Sequence, residues 1–71
     1  MELYEILFAI AAERERQEEL HPNVHSEPHL LAVLMEEVGE VAKALQEDSN
    51  ITEELIHVAA VAVRWLETRE S

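Results

Sequence analysis

The chain has no cysteine, one glycine, two prolines and one each of phenylalanine, tyrosine and tryptophan. Without cysteine, disulfides and thiolate-bound zinc are excluded. Few glycines and prolines, and no sustained alternation of β-branched with polar residues, argue against a sheet. Basic residues are also scarce, five against sixteen acidic ones, for a formal charge of −11. A surface so negative repels nucleic acid and anionic membranes, so neither is expected as a direct partner. No apolar run approaches the roughly 20 residues that span a bilayer. Glu2 and Glu5 stand where a secretory signal would carry basic residues. A soluble, cytoplasmic protein is the expectation.

At 71 residues the chain is read as one domain, residues 1–71. A domain of this size buries only about 60% of its unfolded surface, so a lone core is marginal. With disulfides excluded, the remaining ways to secure it are oligomerisation or a metal held by oxygen and nitrogen ligands.

What is present reads as three helices. The first is expected from about Glu2 to Glu19, with Leu3, Ile6, Leu7 and Ile10 as its apolar stripe. Its second half, residues 13–19, is mostly polar. It reads as a solvated face laced with i,i+3 and i,i+4 pairs, or as a segment from which Arg14, Arg16 or Gln17 reaches a ligand. Pro22 and Pro28 mark a loop over residues 21–29. They break the four-residue spacing of His21, His25 and His29 that a shared metal site would need. Ser26 is the expected N-cap of a second helix ending near Gln46 or Glu47, with Leu31, Leu34, Val38, Val41 and Leu45 as its core stripe. Asn50 and Glu53 suggest a capping box for a third helix from Ile51 to about Thr68. Residues 58–63 of that helix are apolar nearly all round, so burial on several faces is expected and a homodimer or homotetramer with it. Trp65 is read as a core or interface residue.

The carboxylates carry the chemistry. Glu37 and Glu40 share a face of the second helix, Glu36 and Glu40 form a pair at i,i+4, and Glu54 and His57 are spaced i,i+3 on the third. Antiparallel packing across the short connection sets Glu37 and Glu40 opposite Glu54 and His57. Acidic groups between apolar neighbours are costly to bury without a cation. An oxygen-rich set of this kind suits Mg²⁺, and the imidazole adds tolerance for Mn²⁺. The bland alternative is a solvated acidic face. Gly39 weighs against it, because glycine inside a helix costs about 1 kcal/mol relative to alanine unless something approaches the backbone closely. Lys43 is placed to meet a phosphate or to pair with Glu47, and Arg64 to lie at the far end of the site.

The run Leu30–Leu45, with Glu36-Glu37-Val38-Gly39-Glu40 at its centre, closely resembles the metal-binding helix of MazG-like nucleotide pyrophosphohydrolases, members of the all-α NTP pyrophosphatase superfamily. Residues 54–67 resemble their third helix, and Arg16-Gln17 a segment preceding the metal helix. The resemblance implies an all-α fold in which the three-helix chain assembles into an oligomeric four-helix-bundle-like structure. It also implies hydrolysis of a nucleoside or deoxynucleoside triphosphate to the monophosphate and pyrophosphate, with Mg²⁺ and an activated water. By motif position Glu37, Glu40 and Glu54 match metal ligands, and Glu36 the glutamate that holds a second metal or orients water. Position 57 is His where the family has Asp, which leaves His57 either a ligand or a core or interface residue. Gln17, Lys43 and Arg64 are the expected substrate contacts, and a neighbouring subunit is expected to complete the nucleotide pocket. The alternative is a catalytically silent helical oligomer that binds nucleotides or a partner.

Overall fold

The structure is a computed structural model describing residues 1–70. It is all-helical, with α1 at Leu3–Leu20, α2 at Glu27–Glu47 and α3 at Ile51–Glu70. No helix is long and apolar enough to cross a membrane.

Helix starts follow local chemistry. Glu5 accepts the Glu2 backbone N–H at 3.1 Å, answering one donor that the first turn of α1 leaves without a helical partner. Ser26 caps α2 as expected: its Oγ accepts from the His29 N–H at 3.4 Å, and proline follows in the first turn. α2 ends at Asp48, in the left-handed region at φ 51°. The capping box expected at Asn50 is replaced by a backbone device. Asn50 also lies at positive φ, 58°, outside the extended backbone that an N-cap side chain needs, and its carbonyl accepts the Glu54 N–H at 3.0 Å.

α3 is the middle helix. It packs against both α1 and α2, while no Cα of α1 lies within 8 Å of one in α2. The molecule measures 36 × 26 × 18 Å, and a helix with its side chains is about 10–12 Å across. Because α1 and α2 both pack on α3 and do not meet each other, the three helices stay open and do not close into a bundle. Burial is correspondingly thin: Leu30, Ala44, Ala60 and Val61 are the buried apolar residues.

The core face of α2 differs from the expected one. Leu30, Leu34, Glu37, Val41 and Ala44 turn toward α3, whereas Leu31, Val38 and Leu45 are 48%, 43% and 61% exposed. Both stripes repeat at four and three residues, so spacing alone does not choose between them. The packed one contains Glu37 and so brings its carboxylate to α3, 3.5 Å from His57. On α1, Ile6 and Ile10 are partly covered, while Leu3 and Leu7 stay exposed.

Gly39 is exposed, and a Cβ built on it meets nothing within 4 Å. Within one chain, then, nothing approaches its backbone. Gly39→Ala is expected to raise stability by about 0.5–1 kcal/mol through helix propensity, read as a higher thermal midpoint at unchanged helicity.

Candidate metal centre and groove

Between α1 and α2, floored by α3, lies a groove of ≈ 370 Å³. Its walls include Arg16 and Gln17 from α1, His29, Glu36 and Glu37 from α2, and Val61 and Arg64 from α3. Along its edge a stripe of α3 carries Glu54 and His57, one turn apart on the same face.

The central group is Glu37, Glu54 and His57. One ligand atom from each lies within 4.8 Å of the others. His57 Nδ1 is 3.4 Å from a Glu54 oxygen and 3.5 Å from a Glu37 oxygen. Its other ring nitrogen, Nε2, lies 3.7 Å from Glu13. All three central side chains are about one-fifth to one-quarter exposed, 27% for Glu37 and His57 and 19% for Glu54. They are reachable from solvent yet largely desolvated.

Glu13 belongs to this cluster and was not expected there. Its side chain is only 10% exposed; Arg16 donates to both its oxygens at 2.7 and 2.8 Å, and Gln17 donates to it at 3.0 Å. The Arg16 bonds are the main reason its carboxyl is held below the ordinary carboxylate range. Its position was signalled by the spacing Ile6, Ile10, Glu13, Gln17, which continues the apolar stripe of α1 in polar residues. The second half of α1 is therefore solvated on only one side. Gln17 is buried and joins the helices, its amide also donating to the His57 carbonyl at 3.3 Å.

Glu37 is pushed the other way. Partial burial is the chief cause of its raised pKa; the charges of Glu54, Glu13 and Glu40 add to the rise and His57 opposes it. Ionised carboxylates crowd a desolvated space, and positive charge placed there relieves them.

The other expected site residues are spread around this centre. Glu36 is exposed and lines the groove. Glu40 is exposed and stands outside the group of atoms within 4.8 Å, acting on Glu37 through its charge. Lys43 is exposed, is not a groove residue, and makes no ion pair with Glu47 among the described residues. Arg64 lines the groove but is 5% exposed and already engaged. Its Nη2 donates to the carbonyls of His21 at 3.1 Å and Val24 at 3.5 Å, and sits 3.2 Å from Glu18. It clasps the loop after α1 onto α3. Two groove-wall atoms, Gln17 Oε1 and Arg64 Nε, are buried without a hydrogen-bond partner among the described residues.

The imidazoles of the loop stay apart: His25 bonds to the Pro22 carbonyl, and the metal-like grouping among the described residues is the one at Glu37. Trp65 is half-buried and its indole N–H donates to Glu27 at 2.7 Å, while Arg69 pairs with the same carboxylate. Both tie the C-terminal end of α3 to the start of α2.

The donor set fits a small divalent cation. Two carboxylate oxygens and an imidazole nitrogen within 4.8 Å need only small side-chain adjustments to meet the roughly 2.0–2.2 Å bonds of Mg²⁺ or Mn²⁺. No protein-family model, no curated protein and no solved structure matches this chain.

Proposed function

We propose that this chain is a metal-dependent nucleoside triphosphate pyrophosphohydrolase with a MazG-type fold, converting a (d)NTP to the monophosphate and pyrophosphate. The observation that carries the reading is the meeting of Glu37, Glu54 and His57 from two helices, beside a groove open to solvent.

Glu37, Glu54 and His57 would hold the ion, with Glu40 one turn further along α2 for a second contact through its exposed carboxylate. A divalent ion held there would supply the positive charge that a polyphosphate substrate and a departing pyrophosphate need. Glu36, exposed at the groove wall, would accept a proton from the attacking water. Arg16, fixed by Glu13, presents positive charge at the groove mouth. Lys43 remains a peripheral contact for a long triphosphate.

A second reading rests on His57. When protonated, it is itself the counter-ion of Glu37 and Glu54, at 3.5 and 3.4 Å, and satisfies the cluster without metal. The chain would then be a silent nucleotide-binding or interaction module.

One assay separates the two. Pyrophosphate release is measured over a panel of canonical and modified dNTPs with Mg²⁺ and with Mn²⁺, for the natural chain and for His57→Asp. The enzyme reading expects metal-dependent release by the natural chain, stronger with Mn²⁺ than with Mg²⁺, and a shift of preference toward Mg²⁺ in the variant. No release by the natural chain and a gain of at least tenfold above background in His57→Asp would establish the silent reading.

A further inference from the structure

We propose that Glu13 is a positioning residue of the metal centre: it accepts the N–H of His57 Nε2 and so leaves Nδ1 of the same ring to ligate the ion beside Glu37 and Glu54. The inference rests on the metal-centre reading above and not on the reaction carried out there.

A neutral imidazole has one N–H and one bare nitrogen, so each edge of the His57 ring must suit what it faces. Nδ1 faces carboxylate oxygens of Glu54 and Glu37, at 3.4 and 3.5 Å. Nε2 faces Glu13 Oε2 at 3.7 Å. Ionised carboxylates only accept, so the two neutral forms of the ring differ in what they can hold. With the proton on Nδ1, the Nε2 lone pair points at Glu13 and the ring offers a metal nothing on the side of Glu37 and Glu54. With the proton on Nε2, Glu13 has its donor. The Nδ1 lone pair then points toward two carboxylates, which is repulsive until a cation stands among the three. The doubly protonated ring, the counter-ion of the second reading, has no lone pair for a metal at all. Glu13 thus favours the tautomer that ligates, and a bound ion stabilises the tautomer that Glu13 favours.

α1 holds that carboxylate in place. Arg16 donates to both its oxygens at 2.7 and 2.8 Å, and Gln17 donates to Oε2 at 3.0 Å. The side chain is left 10% exposed. The same Gln17 amide donates to the His57 carbonyl at 3.3 Å, so one buried group registers both the acceptor and the residue that carries the ring. The 3.7 Å separation is about half an ångström beyond the ~3.2 Å limit of an N–H···O bond, and a small adjustment of either side chain closes it. α1 supplies no ligand of the central group, yet through Glu13 its packing on α3 sets the affinity of the centre. The role belongs to histidine at position 57: an aspartate there has no N–H on its far side for Glu13 to accept.

The test is a double-variant cycle on metal binding. Mn²⁺ affinity, read from the electron paramagnetic resonance of the free ion, is measured for the natural chain, Glu13→Ala, His57→Asp and the two substitutions together, each checked for helicity by circular dichroism. In the natural background Glu13→Ala should weaken Mn²⁺ binding by about 10–100-fold, the usual cost of removing the partner of a metal-bound histidine. In the His57→Asp background it should leave the affinity nearly unchanged. An equal loss in both backgrounds would assign Glu13 to the fold and overturn the inference while the metal centre stands. Failure of the natural chain to bind Mn²⁺ would overturn both. A second measurement needs no variant of Glu13 to fold. With Zn²⁺ as a diamagnetic probe, two-bond ¹H–¹⁵N spectra of the natural chain should show His57 protonated at Nε2 and metal-shifted at Nδ1, its signals identified by their loss in His57→Asp. Ligation through Nε2, or a ring still protonated at Nδ1, would overturn the inference.

Discussion

Glu37→Gln is expected to stabilise the metal-free protein and, under the proposed function, to abolish metal-dependent pyrophosphate release. The carboxylate has a raised pKa chiefly because it is partly buried, with Glu54, Glu13 and Glu40 adding like charge. The sign follows from which state binds the proton more tightly. A raised pKa means that the folded chain does, so Glu37 supports folding below its ordinary value of 4.5 and loses that contribution as pH rises through the folded pKa. Once ionised it is a carboxylate that the fold tolerates and that the proposed metal site would use. Glutamine has the same shape and cannot ionise. Thermal melts in EDTA should therefore show a rise of a few degrees at pH 7.5, roughly 0.5–1 kcal/mol for a domain of this size, and no rise at pH 4. Added Mn²⁺ should raise the melting point of the natural chain and leave the variant unmoved. Pyrophosphate release should fall by about 10²-fold or more, the loss of about 3 kcal/mol of transition-state stabilisation. A variant less stable than the natural chain at pH 7.5 in EDTA would show instead that the pair with His57 outweighs burial.

Arg64→Lys is expected to cost about 2–3 kcal/mol, a drop in melting temperature of roughly 10–20 °C. Arg64 is 5% exposed, and its guanidinium spans two loop carbonyls and Glu18 at once. Lysine keeps the charge but presents it as a compact point, so the carbonyls of His21 and Val24 cannot both be answered. A contact made only to substrate behaves differently: the melting point would hold and KM alone would rise. Circular dichroism melts beside steady-state kinetics distinguish the two. Stability falling together with activity would assign Arg64 to the clasp, from which it positions the loop bordering the groove.

How far the sequence reached differs between elements. Helix bounds were legible to within one or two residues because caps are local chemistry: Ser26 with its following proline acts within one turn. The pairing of Glu37 with Glu54 and His57 was legible because spacing of three places groups on one face and a short connection forces α2 and α3 antiparallel. Glu13 was missed for the opposite reason. It lies 41 residues before Glu54 in a polar run, and only packing of α1 on α3 reveals that its stripe is the buried one. Lys43 and Arg64 looked alike as cations near the carboxylates, yet one is exposed and the other buried and engaged.

The sequence by itself determined three helices, an acidic chain without disulfides, and carboxylates interleaved with apolar residues on α2 and α3. Those are consequences of composition and of a 3.6-residue period, which act over a few residues. Tertiary structure decided which of two equally spaced stripes of α2 meets α3, and so sent Glu37 inward and left Leu31, Val38 and Leu45 outside. It also decided that α3 stands between α1 and α2, which opens a groove on one side and leaves an apolar sheet of side chains on the other. Helical periodicity is satisfied by either stripe. The arrangement that forms makes Glu37, Glu54, His57 and Glu13 neighbours, and it exists only once all three helices are packed.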